Sequence, residues 1–188
     1  MAADAEKLLE NSKKNKALHP DDIPALDLYI DQIIALMHAH LGEADEKEPL
    51  TRTMIHNYSK AGLIAPVKGK TYTKEHILQM LAIYSLKNTL SMAKIKRVLN
   101  GACMCGVGEK ELTECFDTQL NRREHLNDRL TQSMLQIMEE TGMKLDTPAD
   151  ALSFLLTLTD ITDTLTAFAS KIAQEYFPEP EPKKHKKK

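Results

Sequence analysis

Apolar positions along this chain recur at steps of three and four, the period of an amphipathic helix, through most of its length. A first run, Leu26, Ile30, Ile33, Met37 and Leu41, predicts a helix from about Pro24, tolerated in a first turn, to Gly42. An acidic loop, 43–49, follows. A second, short helix is predicted from Arg52 to Ala61, with Thr51 as N-cap, Met54, Ile55 and Tyr58 on its inner side and Gly62 as its stop. Ile64 to Thr73 loses the helical period and reads as extended, turning tightly at Lys68-Gly69-Lys70. Thr73 then caps a third helix, with Glu75 and His76 in its first turn and Ile77, Met80, Leu81, Tyr84 and Leu86 on the buried side. Ser91 caps a short fourth helix, Met92 to Leu99, and Gly101 to Gly108 is predicted as a loop.

Two longer patterns follow. Lys110 to Gly142 carries the stripe Leu126, Leu130, Met134 and Ile137, with a break expected near Phe116–Leu120. Thr147-Pro148 opens the last helix, which reaches Phe177. Its stripe, Ala151, Phe154, Leu158, Ile161, Leu165, Phe168, Ile172 and Tyr176, approaches a heptad seam. Such a seam serves either a coiled-coil dimer or packing on the preceding helix. Thr157, Thr159, Thr162, Thr164 and Thr166 lower its intrinsic helicity, so it needs packing to persist. The organisation expected is a flexible N-terminal arm (1–21, with a helical turn around Glu6–Glu10), a compact unit (22–100), a helical C-terminal region (109–177) and a disordered basic tail (178–188).

Composition adds a bias toward helices: aromatic residues are 5% of the chain and there is no Trp. No apolar run approaches the roughly 20 residues of a membrane span, and Met1 to Lys16 lacks the apolar core of a secretory leader. Three cysteines, an odd number, suit a reducing compartment, so a cytoplasmic protein is expected.

Charge changes the picture more. Between residues 51 and 97 stand nine basic residues, Arg52, Lys60, Lys68, Lys70, Lys74, Lys87, Lys94, Lys96 and Arg97, against one acid, Glu75, a net of +8. With 25 basic and 27 acidic residues overall, the rest of the chain carries −10. So lopsided a field marks a polyanion-binding side, with nucleic acid the first candidate and a merely solvated face the alternative.

The string LTRTMIHNYSKAGLIAPVKGKTY, followed by IYSLKNTLSMAKIKRVL, resembles the MerR-like winged helix–turn–helix regulators. Tyr58, Gly62-Leu63, Pro66 and Lys70-Thr71-Tyr72 fall at that family's spacing of recognition-helix tyrosine, Gly-Leu, proline and basic wing. With IPALDLYIDQII before it, the chain resembles still more closely an uncharacterised bacterial group known as domain of unknown function 1836, over about residues 20–130. The resemblance implies a mainly α fold: a winged helix–turn–helix domain with a small β wing and a C-terminal helical region that dimerises. Two departures stand out. The family's Arg-Tyr-Tyr is His56-Asn57-Tyr58 here, and its short first helix is replaced by a longer one with an acidic loop. Its phosphate contacts therefore do not carry over.

The spacing has its own physical sense. A short helix can present its first turns to the major groove while a neighbour holds it. Thr51, Arg52, Thr53, His56 and Asn57 lie on those turns. Arg forks onto guanine and Asn onto adenine, each contact giving about 1–3 kcal/mol of discrimination. Lys60, Lys68 and Lys70 suit phosphates; Tyr58 is counted with the DNA-binding residues, and Tyr72 offers its hydroxyl to phosphate, though its ring is more naturally a packing element. Cys103, Cys105 and Cys115, with His125, are a weak metal or thiol-sensing candidate. Their spacing matches no common zinc pattern, and reduced, partly buried cysteine in a loop and a helix, with Cys115 in the core, is the stronger expectation. His38 and His40 point to different helix faces, and His185 among lysines is uninformative. No Gly-rich phosphate loop, His-Glu-x-x-His or local nucleophile–base pair occurs. The expectation is a non-enzymatic, sequence-specific regulator of transcription without cofactor, binding double-stranded DNA as a homodimer, with a small-molecule effector left open. An interaction module on the same scaffold is the alternative.

Overall fold

The computed structural model describes residues 2–12, 17–41 and 49–178. The protein is mainly helical, with one two-stranded sheet. Its helices are α1 (Ala2–Asn11), α2 (Ile30–Leu41), α3 (Arg52–Lys60), α4 (Lys74–Leu86), α5 (Met92–Met104), α6 (Glu109–Thr141) and α7 (Pro148–Tyr176). The strands are β1 (Leu28–Tyr29) and β2 (Thr71–Tyr72), and a 3-10 turn spans Pro20–Asp22.

The core sits among α2, α3, α4 and α5. On α4, Ile77, Leu78, Met80 and Ile83 are wholly buried, so this helix is apolar around most of its circumference rather than on the single stripe expected. Ile33 and Met37 of α2, Ile55 of α3 and Ile95 of α5 close around it. The starts of α3, α5 and α7 follow the sequence. Thr51 Oγ1 accepts the Met54 N–H at 3.2 Å, Ser91 Oγ accepts the Lys94 N–H at 3.4 Å, and Thr147 and Asp150 cap each other at the start of α7. At the start of α4 the cap is unusual. Thr73 N–H donates to His76 Nδ1 at 3.2 Å, and Thr73 Oγ1 lies 2.7 Å from the same nitrogen.

Five local expectations are corrected. The first predicted helix starts at Ile30, not near Pro24. Leu28–Tyr29 is instead extended, because it pairs antiparallel with Thr71–Tyr72, Leu28 opposite Tyr72 and Tyr29 opposite Thr71. The expected wing therefore has no partner strand of its own in 64–67; its second arm is held by β1. The N-terminal segment forms three turns of helix that pack on α6, burying Ala5, where a single turn was expected. The fourth helix runs past Leu99 to Met104, through a glycine expected in a loop: a Cβ on Gly101 would stand 2.8 Å from the Phe177 Cβ, so α7 packs against the bare backbone and closes this turn. Finally, α6 is unbroken at Phe116–Leu120, where Phe116 packs against the core; the helix also lies against α4, α1 and the 3-10 turn. Gly42, the acidic loop through Glu48 and most of the C-terminal tail, with His185, lie outside the described residues.

The last helix carries two stripes. Ala169, Ala173 and Phe177 face α5, where Arg97 Nε donates to the Phe177 carbonyl and Nη2 to the Gln174 carbonyl, each at 2.7 Å. Lys94 Nζ adds a bond to Ser170 Oγ at 2.9 Å. The heptad stripe is the other one: Leu165, Phe168, Ile172 and Tyr176 remain exposed, and Ala151, Phe154, Leu158 and Ile161 are half-buried. On α6, Met134 is buried as expected but Leu126, Leu130 and Ile137 are exposed. No helix among the described residues is long and apolar enough to cross a membrane.

Candidate nucleic-acid interface

The outer side of α3 is defined by what its inner side does. Ile55 is fully buried and Tyr58 is 6% exposed, so the helix can turn only one way, and Arg52, Thr53, His56, Asn57 and Lys60 face outward. The chain then reverses at Gly62, whose φ of 66° an L side chain rarely adopts. Leu63 and Ile64 are buried, and the Ala65 N–H is taken by the Gln79 side chain at 2.8 Å, which moors the loop to α4. Gln79 donates in turn to Glu75 at 3.2 Å, so this buried amide is satisfied at both ends. From that mooring the loop runs outward to Lys68 and Lys70, both exposed.

Two tyrosines expected at the interface have a different place. Tyr58 lies in the core beneath α3, and Tyr72, also 6% exposed, meets the His76 ring edge-on at 5.9 Å between centroids. Both rings are supports for the exposed residues. A tyrosine buries its body wherever the backbone offers an apolar wall, and here β1 and α4 supply one.

The positive charge is also distributed differently from its count in the sequence. Lys87 stands over the Tyr84 ring at 4.7 Å, and Lys94 and Arg97 hold α7. Lys60, Lys68, Lys70 and Lys96 are exposed, and Lys96 reaches back to the turn at Gly62, where its Nζ would lie 3.8 Å from a Cβ at that glycine. The exposed basic side is thus the end of α3, the loop tip and one lysine of α5. Arg52 is accounted for by a residue that sequence reasoning missed. Its Nη2 contacts both carboxylate oxygens of Asp31, at 2.5 and 2.6 Å, across the gap between α3 and α2. No local signal joins positions 21 residues apart; only the packing of α2 on α3 does.

The histidine beneath this surface is the sole buried side-chain polar atom without a partner among the described residues: His76 Nε2. It follows from burial of the α4 N-terminus under Tyr72. Cys103, Cys105 and Cys115 are unpaired and exposed, not partly buried as expected, and no three His, Cys, Asp or Glu side chains among the described residues converge as metal ligands. A cleft of about 670 Å³ lies far along the chain from the basic loop, between α1, the end of α6 and the α6–α7 connection, lined by Ala5, Glu6, Met138, Glu139 and Met143 among others.

The fold and this surface define a mainly helical protein that displays one short, well-capped helix beside a lysine-tipped loop. Residues 18–118 match the model of a family described as a domain of unknown function, DUF1836, and the chain belongs to that family. The match ends within α6, so α1, most of α6 and all of α7 lie outside it. No curated protein and no solved structure matches the chain.

Proposed function

We propose that this protein is a DNA-binding regulator of transcription, built as a MerR-like winged helix–turn–helix with α3 in the major groove and the 64–73 loop as a wing on the phosphates. One observation carries the reading. The outward side of α3 is wholly polar, with Arg52, Thr53, His56 and Asn57 exposed on a helix locked from below by Ile55 and Tyr58, and the exposed Lys68 and Lys70 stand on the adjoining loop. Arg52 strengthens it. A helix N-terminus favours anions, yet the first turn of α3 holds no acid and begins with a cation. A site that breaks a local stability rule is where function is expected.

The regulator is proposed to act as a homodimer through the exposed stripes of α6 and α7, giving two-fold related half-sites. The threonines make such burial less costly: the hydroxyls of Thr157, Thr159, Thr162 and Thr164 already donate to carbonyls four residues earlier, at 2.8–3.1 Å. That apolar surface also favours a second reading, an interaction module that docks another protein on α7.

The test is selection of random duplex DNA by the purified protein, followed by affinity at several salt concentrations. A recurrent site with a steep salt slope is expected. Arg52→Ala should lower affinity for that site far more than for competitor, and Lys68→Ala should lower both and reduce the slope by about one. No enrichment at low salt overturns DNA binding and leaves the interaction module.

A further inference from the structure

We propose that Asp31 is a specificity-determining residue that masks Arg52 from nonspecific polyanions and releases it only to a base edge; this rests on the DNA-binding reading above. Both forks with which a guanidinium can grip two acceptors, Nε with Nη2 and Nη1 with Nη2, include Nη2, and Nη2 is the nitrogen that Asp31 holds. The carboxylate therefore occupies the atom that either guanine-reading geometry would use. It also cancels the charge of the one cation in the first turn of α3, where the helix dipole and Arg52 would otherwise attract an anion together.

The pair is built to be exchanged rather than to hold the fold. The Arg52 and Asp31 side chains are 54% and 73% exposed, and an ion pair so open to water adds little to stability. A single phosphate offers Arg52 what Asp31 already gives, one anionic group with two oxygens, so moving to it gains little. A guanine edge, reached only when α3 sits in register, offers two directed acceptors and further contacts from Asn57 and His56 nearby. Asp31 thus lowers binding everywhere but lowers it least at the correct site, which is how a repulsive element raises discrimination. Its position on the first turn of α2 keeps the carboxylate favourably placed on that helix's own positive end when Arg52 leaves.

The experiment compares wild type, Asp31→Asn, Arg52→Ala and the double variant on random-sequence duplex DNA and on a heparin column, across a salt series. Asp31→Asn keeps the size of an exposed side chain, and thermal melting confirms each variant is folded. Asp31→Asn should bind random duplex about three- to tenfold more tightly at low salt, with a slope steeper by about one, and elute later from heparin. The gain should vanish in the Arg52→Ala background, and the ratio of specific to random affinity should fall. Weaker binding by Asp31→Asn overturns the proposal, since Asp31 would then brace Arg52 for its contact. An equal gain with and without Arg52 also overturns it, showing general repulsion only. If random duplex and heparin respond as expected but selection yields no recurrent site, masking stands and sequence-specific regulation falls. If a recurrent site emerges and Asp31→Asn changes nothing, the reverse holds.

Discussion

Helices α4 and α7 have nearly the same need to bury apolar side chains and opposite success. On α4, Ile77, Leu78, Met80 and Ile83 have no exposed surface. On α7, Leu155, Leu156, Leu165 and Phe168 are each about 60% exposed, although the helix is more than twice as long. The difference is one of neighbours. Helices α2, α3, α5 and α6 and a two-stranded ribbon surround α4, whereas the main contact of α7 is with α5, along one narrow stripe, Ala169, Ala173 and Phe177. The first region closes its core within one chain. The second presents a surface of the kind that marks an interaction site, and the proposed dimer is what would close it.

The largest expected effect lies in the closed region. Ile77→Ala leaves a hole with no solvent path and should cost about 2–5 kcal/mol in a denaturant titration. A loss under 1 kcal/mol would mean that the α4 core is loosely packed and the contrast with α7 overstated. Next comes the open region. Leu165→Glu with Phe168→Glu should leave the monomer's stability nearly unchanged while abolishing self-association in sedimentation; a wild type that is monomeric at high concentration would assign the exposed stripe to another partner.

The attachment between the two regions can be loosened directly. Arg97→Ala removes donors to two α7 carbonyls, and a hydrogen bond to a charged group is worth about 1.5–3 kcal/mol. Amide exchange should quicken over the last turns of α7 and not in α4. Uniform quickening would show that the two regions unfold together. The smallest effect is at the start of α6. The Glu111 carboxylate accepts the Gly108 N–H at 3.0 Å, and this bond, with that to its own backbone N–H, holds its pKa below the usual value. A lowered carboxylate pKa stabilises the fold above the ordinary carboxylate range and ceases to do so as pH falls through the lowered value. Glu111→Gln should therefore slightly flatten the acid side of a stability–pH curve, and no change there would leave Glu111 without a capping role.

Much of this molecule was legible in short windows of sequence, because helix caps and periods are short-range physics. Thr51, Thr73, Ser91 and Thr147 each open a helix where the sequence places one, since a side-chain oxygen reaches a backbone N–H two or three positions on whatever the rest of the chain does. The inner face of α3 followed from Ile55 and Tyr58 for the same reason, and with it the identity of the outward residues. The candidate site was legible as a set of residue types on one short helix and one turn.

What packing alone decided are the long-range events. Leu28–Tyr29 lies in a predicted helical period and becomes a strand because Thr71–Tyr72 offers it backbone partners more than forty residues away. Residues 100–104 carry a glycine that reads as a loop and become helix because Phe177 seals the gap a side chain would have filled. Of the basic residues that make the 51–97 segment stand out, Arg52, Lys87, Lys94 and Arg97 are engaged by Asp31, Tyr84 and α7, none of which a charge count can see. Sequence by itself determined where the side-chain-capped helices α3, α4, α5 and α7 begin and which cations the chain holds. Tertiary structure decided which of those cations face solvent and which apolar stripe of α7 was left uncovered, because burial and pairing depend on neighbours brought together only by the fold.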